Sequence, residues 1–129
     1  MSYTLNVEQR SNYLYITVTG DNTVDSVQGY LAEVRDLCLQ YKCPNVLLVE
    51  NLAGPGLDTF HIYDLVSRNS PQTVPLIGRI AFVDINPAHN PKNMEFAEDV
   101  AVNRGVTVKV FSTLKEAEEW LGQEVNPKN

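Results

Sequence analysis

The chain has 129 residues, of which 43% are hydrophobic, and a formal net charge of −6. This composition is typical of one soluble domain with a sizeable core, and the acidic balance argues against nucleic-acid binding, which needs a basic face. Every apolar run is far shorter than the about 18 residues of a membrane span, and the start lacks the features of a signal peptide. We therefore expect a cytoplasmic protein that does not span a membrane.

The two cysteines, Cys38 and Cys43, are too few for a disulfide framework or a metal-binding quartet. In a reducing cytosol both are expected to be free thiols, with Cys38 buried as a small hydrophobic residue. No cofactor is predicted.

The first third of the chain indicates a hairpin followed by a helix. Residues 5–9 and 13–19 alternate between apolar and polar side chains, which predicts two antiparallel strands separated by a turn. Residues 23–41 have apolar side chains at steps of three and four, which predicts a helix with one buried stripe.

The central stretch, residues 44–70, indicates a strand, a turn and a helix. Val46 to Val49 form a continuous apolar run that is typical of a strand buried on both faces. Gly54 and Gly56 predict a turn with unusual backbone angles, and Asp58 is suited to cap the helix that follows. Residues 69–78, with two prolines and a glycine, predict an irregular connection.

The last part of the chain repeats the alternation of strands and helices. Residues 79–84 and 106–111 predict buried strands, and Asn90 and Thr113 predict the starts of two helices. The order ββαβαβαβα indicates an α/β fold with a mixed, mostly parallel sheet and an antiparallel edge hairpin at the amino terminus. Right-handed crossovers would place helices on both faces of that sheet.

The chain resembles the SpoIIAA-like branch of the STAS domain family from residue 5 to residue 121. The resemblance rests on the strand Arg79-Ile-Ala-Phe-Val83 and on the closing pattern Phe111, Ala117, Trp120 and Leu121. It implies a four- to five-stranded sheet with about four helices, in one domain over residues 1–129 with a polar tail at 122–129. The fold is also similar to the lipid-binding domains of the Sec14 (CRAL-TRIO) type.

The resemblance implies a non-catalytic, regulatory or protein-binding role. In the anti-sigma antagonists of this family, a serine at the start of the second helix is phosphorylated by a partner kinase. Asp58 and Thr59 occupy the matching positions here, but the glycine of that motif is missing and Phe60 is bulky. These two residues are candidates for a phosphorylation switch or a partner contact. The alternative is that Asp58 only caps the helix.

A polar crevice is predicted at the carboxyl ends of the two central strands, where ligands of open α/β sheets usually bind. Histidine beside carboxylates is suited to acid–base chemistry or to metal binding, although no spacing matches a strong metal motif. Two solvated histidines on a polar rim are the alternative interpretation. The candidate residues are Glu50, Asn51, His61, Asp84, Asn86 and His89.

An apolar pocket between the second helix and the sheet is a further possibility. Its candidate residues are Phe60, Tyr63, Phe82 and Phe96, with Tyr30 beside them, although ordinary core packing explains most of these aromatics. A mobile segment at residues 71–75 is predicted as a lid or a partner surface.

Three functions follow from these features. The leading hypothesis is a regulatory domain that binds another protein through the second helix and the loops 51–57 and 84–90. The second is a carrier or sensor of a small apolar, lipid-like ligand, and the third is an enzyme that uses His61 or His89 with Asp58 or Asp84. The tyrosines of the second strand also favour a homodimer.

Overall fold

The computed structural model describes residues 3–122, and the predicted tail from Gln123 to Asn129 lies outside the described residues. The strands are β1 (Tyr3–Gln9), β2 (Leu14–Asp21), β3 (Asn45–Ala53), β4 (Arg79–Asp84) and β5 (Val108–Val110). The helices are α1 (Val24–Tyr41), α2 (Thr59–Thr73), α3 (Pro91–Asn103) and α4 (Leu114–Gly122). None of these helices is long and apolar enough to cross a membrane.

The five strands form one sheet in the order β1-β2-β3-β4-β5. The β1–β2 pair is antiparallel and the other three pairs are parallel, which confirms the predicted mixed sheet with an antiparallel edge hairpin. Because each of the three crossovers steps the same way across the sheet, right-handed connections bring α1, α2 and α3 to one face. The prediction that the crossovers place helices on both faces was therefore wrong. The fourth helix, α4, packs on the opposite face through Ala117 and Leu121.

The central strand β3 is buried on both faces, as its apolar run predicts. Leu48 packs in the core on the α1 side of the sheet, whereas Leu47 and Val49 pack in the core on the α4 side. Since side chains alternate along a strand, Glu50 follows Leu48 toward the three helices and Asn51 points toward the α4 face. This alternation decides which polar residues can meet.

The prediction of an irregular connection from residue 69 was wrong, because α2 continues through Pro71 to Thr73. Three side chains donate hydrogen bonds to carbonyl oxygens one turn earlier: Asn69 to Leu65 at 2.7 Å, Ser70 to Val66 at 2.7 Å and Thr73 to Asn69 at 2.8 Å. The polar sequence that suggested a loop therefore belongs to a helix, and the segment predicted as a mobile lid is largely its last turn.

A buried polar layer holds α2 against α1. The Arg35 side chain is 7% exposed, and its Nη1 donates to Asn69 Oδ1 at 2.7 Å. Asn69 also donates to Gln28 Oε1 at 2.9 Å. Because amide and guanidinium groups have directional partners, this layer fixes how α2 lies over the sheet.

The tyrosines that suggested a homodimer lie against the protein's own last helix. Tyr13 and Tyr15 pack in the core under α4, and the Tyr13 hydroxyl donates to Glu118 Oε2 at 3.1 Å. Tyr15 belongs to β2 and Tyr13 directly precedes it. The outer side of β2 is hydrogen-bonded to β1, which forms that edge of the sheet. A homodimer stays a prediction.

Candidate functional site

The carboxyl ends of β3 and β4 bring three ionisable side chains together. Glu50 and Asp84 are register partners on the two strands, and the loop after β4 returns His89 to the same place. His89 Nδ1 lies 2.7 Å from Asp84 Oδ2, and the two side chains are only 5% and 8% exposed. The sequence predicts these residues at one rim, and the structure makes them a buried cluster.

Both ring nitrogens of His89 face hydrogen-bond acceptors. Nδ1 faces the Asp84 carboxylate, and Nε2 lies 2.8 Å from the carbonyl oxygen of Gly54. Asn86 Nδ2 also lies 3.4 Å from Nε2. Acceptors beside both nitrogens favour the imidazolium, in which both nitrogens donate. Burial opposes this charge, but the hydrogen bonds to Asp84 and Gly54 and the negative charges of Asp84 and Glu50 outweigh it and raise the pKa of His89.

Asn86 holds the loop that carries His89. Its Nδ2 donates to Leu52 O at 2.8 Å, and its Oδ1 accepts from the Ala88 backbone at 2.9 Å. The Asn86 backbone N–H donates to Asp84 Oδ1 at 3.0 Å. The carboxylate of Asp84 is therefore bonded on both oxygens, by His89 on one and by this loop on the other.

Glu50 is paired with a tyrosine of α1. The Tyr30 hydroxyl donates to Glu50 Oε2, and the two residues are 2% and 5% exposed. Burial raises the pKa of Glu50 to about 7, with a further rise from Asp84 and opposing effects of the Tyr30 hydrogen bond and the His89 charge. Burial and the neighbouring Glu50 also raise the pKa of Tyr30 well above its ordinary value.

Ligand atoms of Glu50, Asp84 and His89 all lie within 4.8 Å of one another, as a metal site would require. However, a metal ligand must offer a lone pair, so His89 would have to give up one of its two hydrogen bonds to coordinate an ion. The Asp84 oxygens and Glu50 Oε2 each accept one hydrogen bond. The arrangement is an internal hydrogen-bond network, and Glu50 Oε1 is the one carboxylate oxygen of the three residues with no hydrogen-bond partner within residues 3–122.

Glu50 lines a partly open cavity of about 160 Å³ between the sheet and the helices α1, α2 and α3. An engineered cavity of about 150 Å³ in another protein binds benzene, so this volume is suited to a molecule with about six to eight non-hydrogen atoms. Much of the lining is apolar and includes Leu48, Ile62, Leu65, Phe82, Met94 and Val108.

The turn between β3 and α2 forms one end of this cavity. Gly54 has φ +98°, which confirms the predicted unusual backbone angle for this glycine and aims its carbonyl at His89. Gly56 has no positive φ, but a Cβ there would lie 2.9 Å from Asn93 Nδ2 at the start of α3. A glycine at position 56 therefore leaves space for the Asn93 side chain, and its backbone angle needs no glycine.

Two predicted crevice residues lie elsewhere. Asn51 is exposed and points toward the α4 face, away from Glu50. His61 Nδ1 pairs with Asp58 Oδ1 at 2.7 Å on the surface of α2, where the two side chains are 48% and 64% exposed. Asp58 caps α2 by accepting from the His61 backbone N–H at 2.8 Å, and this bond is the largest cause of the lowered pKa of Asp58. Thr59 is the exposed first residue of the helix.

Only part of the predicted aromatic set lines the cavity. Phe82 and Tyr30 line it, whereas Phe96 does not. Phe60 and Tyr63 are 74% and 48% exposed, because the inner face of α2 is formed by the residues around Leu65. The Tyr63 hydroxyl accepts from Arg104 Nη2 at 2.9 Å on the outside of the molecule.

Some members of the site carry little or no signal in the sequence. The Gly54 carbonyl is a backbone group, and Asn69 belongs to the segment predicted as a loop. Glu98, whose Oε1 accepts from the Val110 backbone at 2.7 Å, has the sequence surroundings of any polar helix residue. For Glu50 a signal is present, since its spacing of two from Leu48 places both side chains on the same face.

Comparison with known proteins shows the fold. No protein-family model and no curated protein matches the chain. Over 95% of this chain and 96% of the other, the structure is similar to an anti-sigma factor antagonist from Mycobacterium paratuberculosis, with 12% identity and a TM-score of 0.62. It is also similar to an uncharacterized DUF3478-family protein from Shewanella loihica PV-4 with a SpoIIAA-like fold, at 16% identity, coverage of 93% and 94%, and a TM-score of 0.55. The chain therefore has the SpoIIAA-like STAS fold that the sequence resemblance predicted.

Proposed function

We propose that this protein is a non-catalytic regulatory domain that binds a partner protein at the carboxyl end of its sheet. The observation that carries the proposal is Phe60, which is 74% exposed at the second position of α2. Ile85, in the loop after β4 at the same end of the sheet, is 49% exposed. Contiguous exposed apolar side chains are typical of an interaction surface, and Phe60 is the most exposed large apolar side chain within residues 3–122.

The structural neighbour from Mycobacterium paratuberculosis supports a protein partner, since an anti-sigma factor antagonist acts on another protein. The likeness extends to the fold, and the role is carried over to this chain as part of the proposal. Thr59 lies beside Phe60 and is exposed, so a kinase would reach it. Its phosphorylation and the cytoplasmic location stay predictions.

The geometry of the two histidines favours a binding role over a catalytic one. His89 lies within hydrogen-bond reach of a carboxylate, as an enzyme would require, but both of its ring nitrogens contact protein acceptors and its side chain is only 5% exposed. His61 and Asp58 lie on the open surface of α2 rather than in a cleft. Neither histidine site therefore combines a free ring nitrogen with a cleft that would hold a substrate.

A matched pair of surface variants tests the proposal. Phe60→Ser removes the exposed ring from the start of α2, and Leu39→Ser removes a comparable side chain, 58% exposed, near the end of α1. Affinity-purified wild-type protein and both variants are compared by quantitative mass spectrometry of co-purified proteins. We expect a partner that is retained by wild type and Leu39→Ser and lost from Phe60→Ser. Identical partner sets for all three proteins would contradict the proposal.

A second candidate function is a sensor or carrier of a small apolar molecule, and the cavity under α2 is the observation that favours it. Its volume of about 160 Å³ is below the roughly 300 Å³ at which pockets for drug-sized ligands begin. A small ring or short chain fills this space, and a long acyl chain would extend out of it because the cavity is partly open to solvent. Native mass spectrometry of freshly purified protein tests for a retained small molecule.

A further inference from the structure

We infer that the cavity under α2 selects a small primary amine, whose ammonium group pairs with Glu50 Oε1 while its apolar body fills the space between α2, α3 and the sheet. The inference rests on the second candidate function and names the ligand class for it. It depends on the charges that line the cavity, on the hydrogen-bonding capacity left free, and on the size of the space.

The charged lining of the cavity is strongly acidic. Three carboxyl groups, of Glu50, Asp84 and Glu98, line it together with one histidine, His89. Within residues 3–122, the lining includes no lysine and no arginine. Three acidic groups outnumber one basic group, and the low-dielectric surroundings strengthen their field. The cavity therefore attracts a cation and repels a carboxylate or phosphate.

The free hydrogen-bonding capacity indicates a donor. Each Asp84 oxygen accepts one hydrogen bond, and Glu98 Oε1 accepts from the Val110 backbone N–H. Within residues 3–122 Glu98 Oε2 stays free, but Glu98 is less buried than Glu50. Tyr30 donates to Glu50 Oε2, which leaves Glu50 Oε1 as an acceptor. Both N–H groups of His89 are used by Asp84 and Gly54, so the imidazolium has none to offer an anion. A primary ammonium would donate a hydrogen bond to Glu50 Oε1, and its positive charge would balance the carboxylate.

The size of the space limits the apolar body. A cavity of about 160 Å³ holds a ring with one short substituent. Burial of that ring against the apolar lining would contribute favourably to binding. A ligand that were only a cation would lose its hydration without gaining apolar contact. The two requirements together give an amine of about six to eight non-hydrogen atoms.

Four probes of nearly equal shape separate these contributions: benzylamine, benzyl alcohol, toluene and benzoate. Each is titrated into ¹⁵N-labelled wild-type protein at pH 8, and amide shifts of residues that line the cavity give the dissociation constant. We expect benzylamine to bind about tenfold more tightly than benzyl alcohol or toluene, since a charge-assisted hydrogen bond adds to the same apolar contact. Benzoate is expected not to bind.

Two variants assign the preference to Glu50. Glu50→Gln keeps the shape and removes the charge, so the ratio of benzylamine to benzyl alcohol affinity is expected to fall to about one. Asp25→Asn removes one charge from an exposed position at the start of α1, and the ratio is expected to stay at the wild-type value. The ratio within each protein is independent of small changes in stability.

The outcomes separate the two proposals. Equal binding of benzylamine, benzyl alcohol and toluene by wild type would overturn the amine inference and support an apolar ligand site. Absence of binding for all four probes would overturn the amine inference and the ligand-binding function together. If Glu50→Gln does not fold, the four probes on wild-type protein still decide between these results.

Discussion

Two histidine–carboxylate pairs in this protein have the same length and opposite surroundings. His89 lies 2.7 Å from Asp84 with both side chains buried, and His61 lies 2.7 Å from Asp58 with both side chains in water. Water and salt screen the exposed pair, so it contributes little to stability. In the buried pair, each group depends on the other for its charge, and loss of one leaves the other uncompensated. Distance alone therefore does not measure what a pair contributes.

The largest expected effect is from Asp84→Ala. This substitution leaves the His89 ring buried without its carboxylate and frees the backbone N–H of Asn86. We expect a loss of about 3–5 kcal/mol in the free energy of unfolding, as for other broken buried pairs. Urea denaturation followed by circular dichroism measures it. A loss below about 1 kcal/mol, the range of surface pairs, would contradict the contrast between the two sites.

The buried cluster also predicts that the protein loses stability as the pH rises from about 4.5 to about 7. The Glu50 carboxyl has an ordinary pKa of 4.5 in the unfolded chain and a pKa of about 7 in the folded protein. The folded state therefore keeps a proton that the unfolded state releases, so this contribution is complete below about pH 4.5 and is lost as the pH rises to about 7. The size of this loss is roughly 3 kcal/mol. His89, whose pKa is raised, acts in the same direction at higher pH.

Glu50→Gln tests this pH dependence. Three groups face Glu50, namely Tyr30 from α1, Asp84 from β4 and His89 from the loop before α3. The variant keeps all three and removes the titrating carboxyl, so its stability is expected to fall less than that of wild type between pH 5 and pH 8. Parallel curves of unfolding free energy against pH for the two proteins would show that Glu50 does not titrate in this range.

The fold could be predicted from the sequence because apolar periodicity and turn residues report directly on burial. Val46 to Val49 marked the central strand, and Asn90, with Pro91 after it, marked the start of α3. The segment after residue 68 misled the prediction because Asn69 and Ser70 are common in loops, whereas here they bond within α2.

The site could be predicted only in part. The sequence indicates at which end of the sheet a residue lies, but it does not indicate how far its side chain is buried. His61 and His89 both follow strands or turns at that end, and nothing local shows that one is exposed and the other buried. The partner of His89 at Nε2 is a carbonyl, which every residue has. Burial of this kind follows from how the loops close over the sheet, which is a tertiary property.

A smaller loss of stability is expected from Gly54→Ala. This variant tests the second contact of the buried His89 ring, which is the Gly54 carbonyl. Gly54 has φ +98°, and an added methyl group would have no atom within 4 Å, so the cost is that of the backbone angle, about 1–2 kcal/mol. Gly105→Ala is the matched control, because Gly105 has φ +90° and its added carbon meets only Val74 at 3.7 Å. Thermal unfolding should show similar losses for both variants.

The two glycine variants differ in what they do to His89. The Gly54 carbonyl helps to raise the pKa of His89, so a shift of this carbonyl in Gly54→Ala lowers that pKa, while Gly105→Ala leaves it unchanged. A titration of the imidazole by NMR measures both. Equal His89 pKa values in the two variants would mean that the carbonyl does not hold the charged ring.

The smallest effect is expected from His61→Ala at the exposed pair. The cap of α2 uses the backbone N–H of His61, which the substitution keeps, and only the solvent-exposed bond from the ring to Asp58 is lost. We expect a change in unfolding free energy of roughly a fifth or less of that of Asp84→Ala. Urea denaturation under identical conditions compares the two variants. If His61→Ala lowered the free energy of unfolding as much as Asp84→Ala, burial would not determine what a histidine–carboxylate pair contributes. The contrast between the exposed pair and the buried His89 pair would then be wrong.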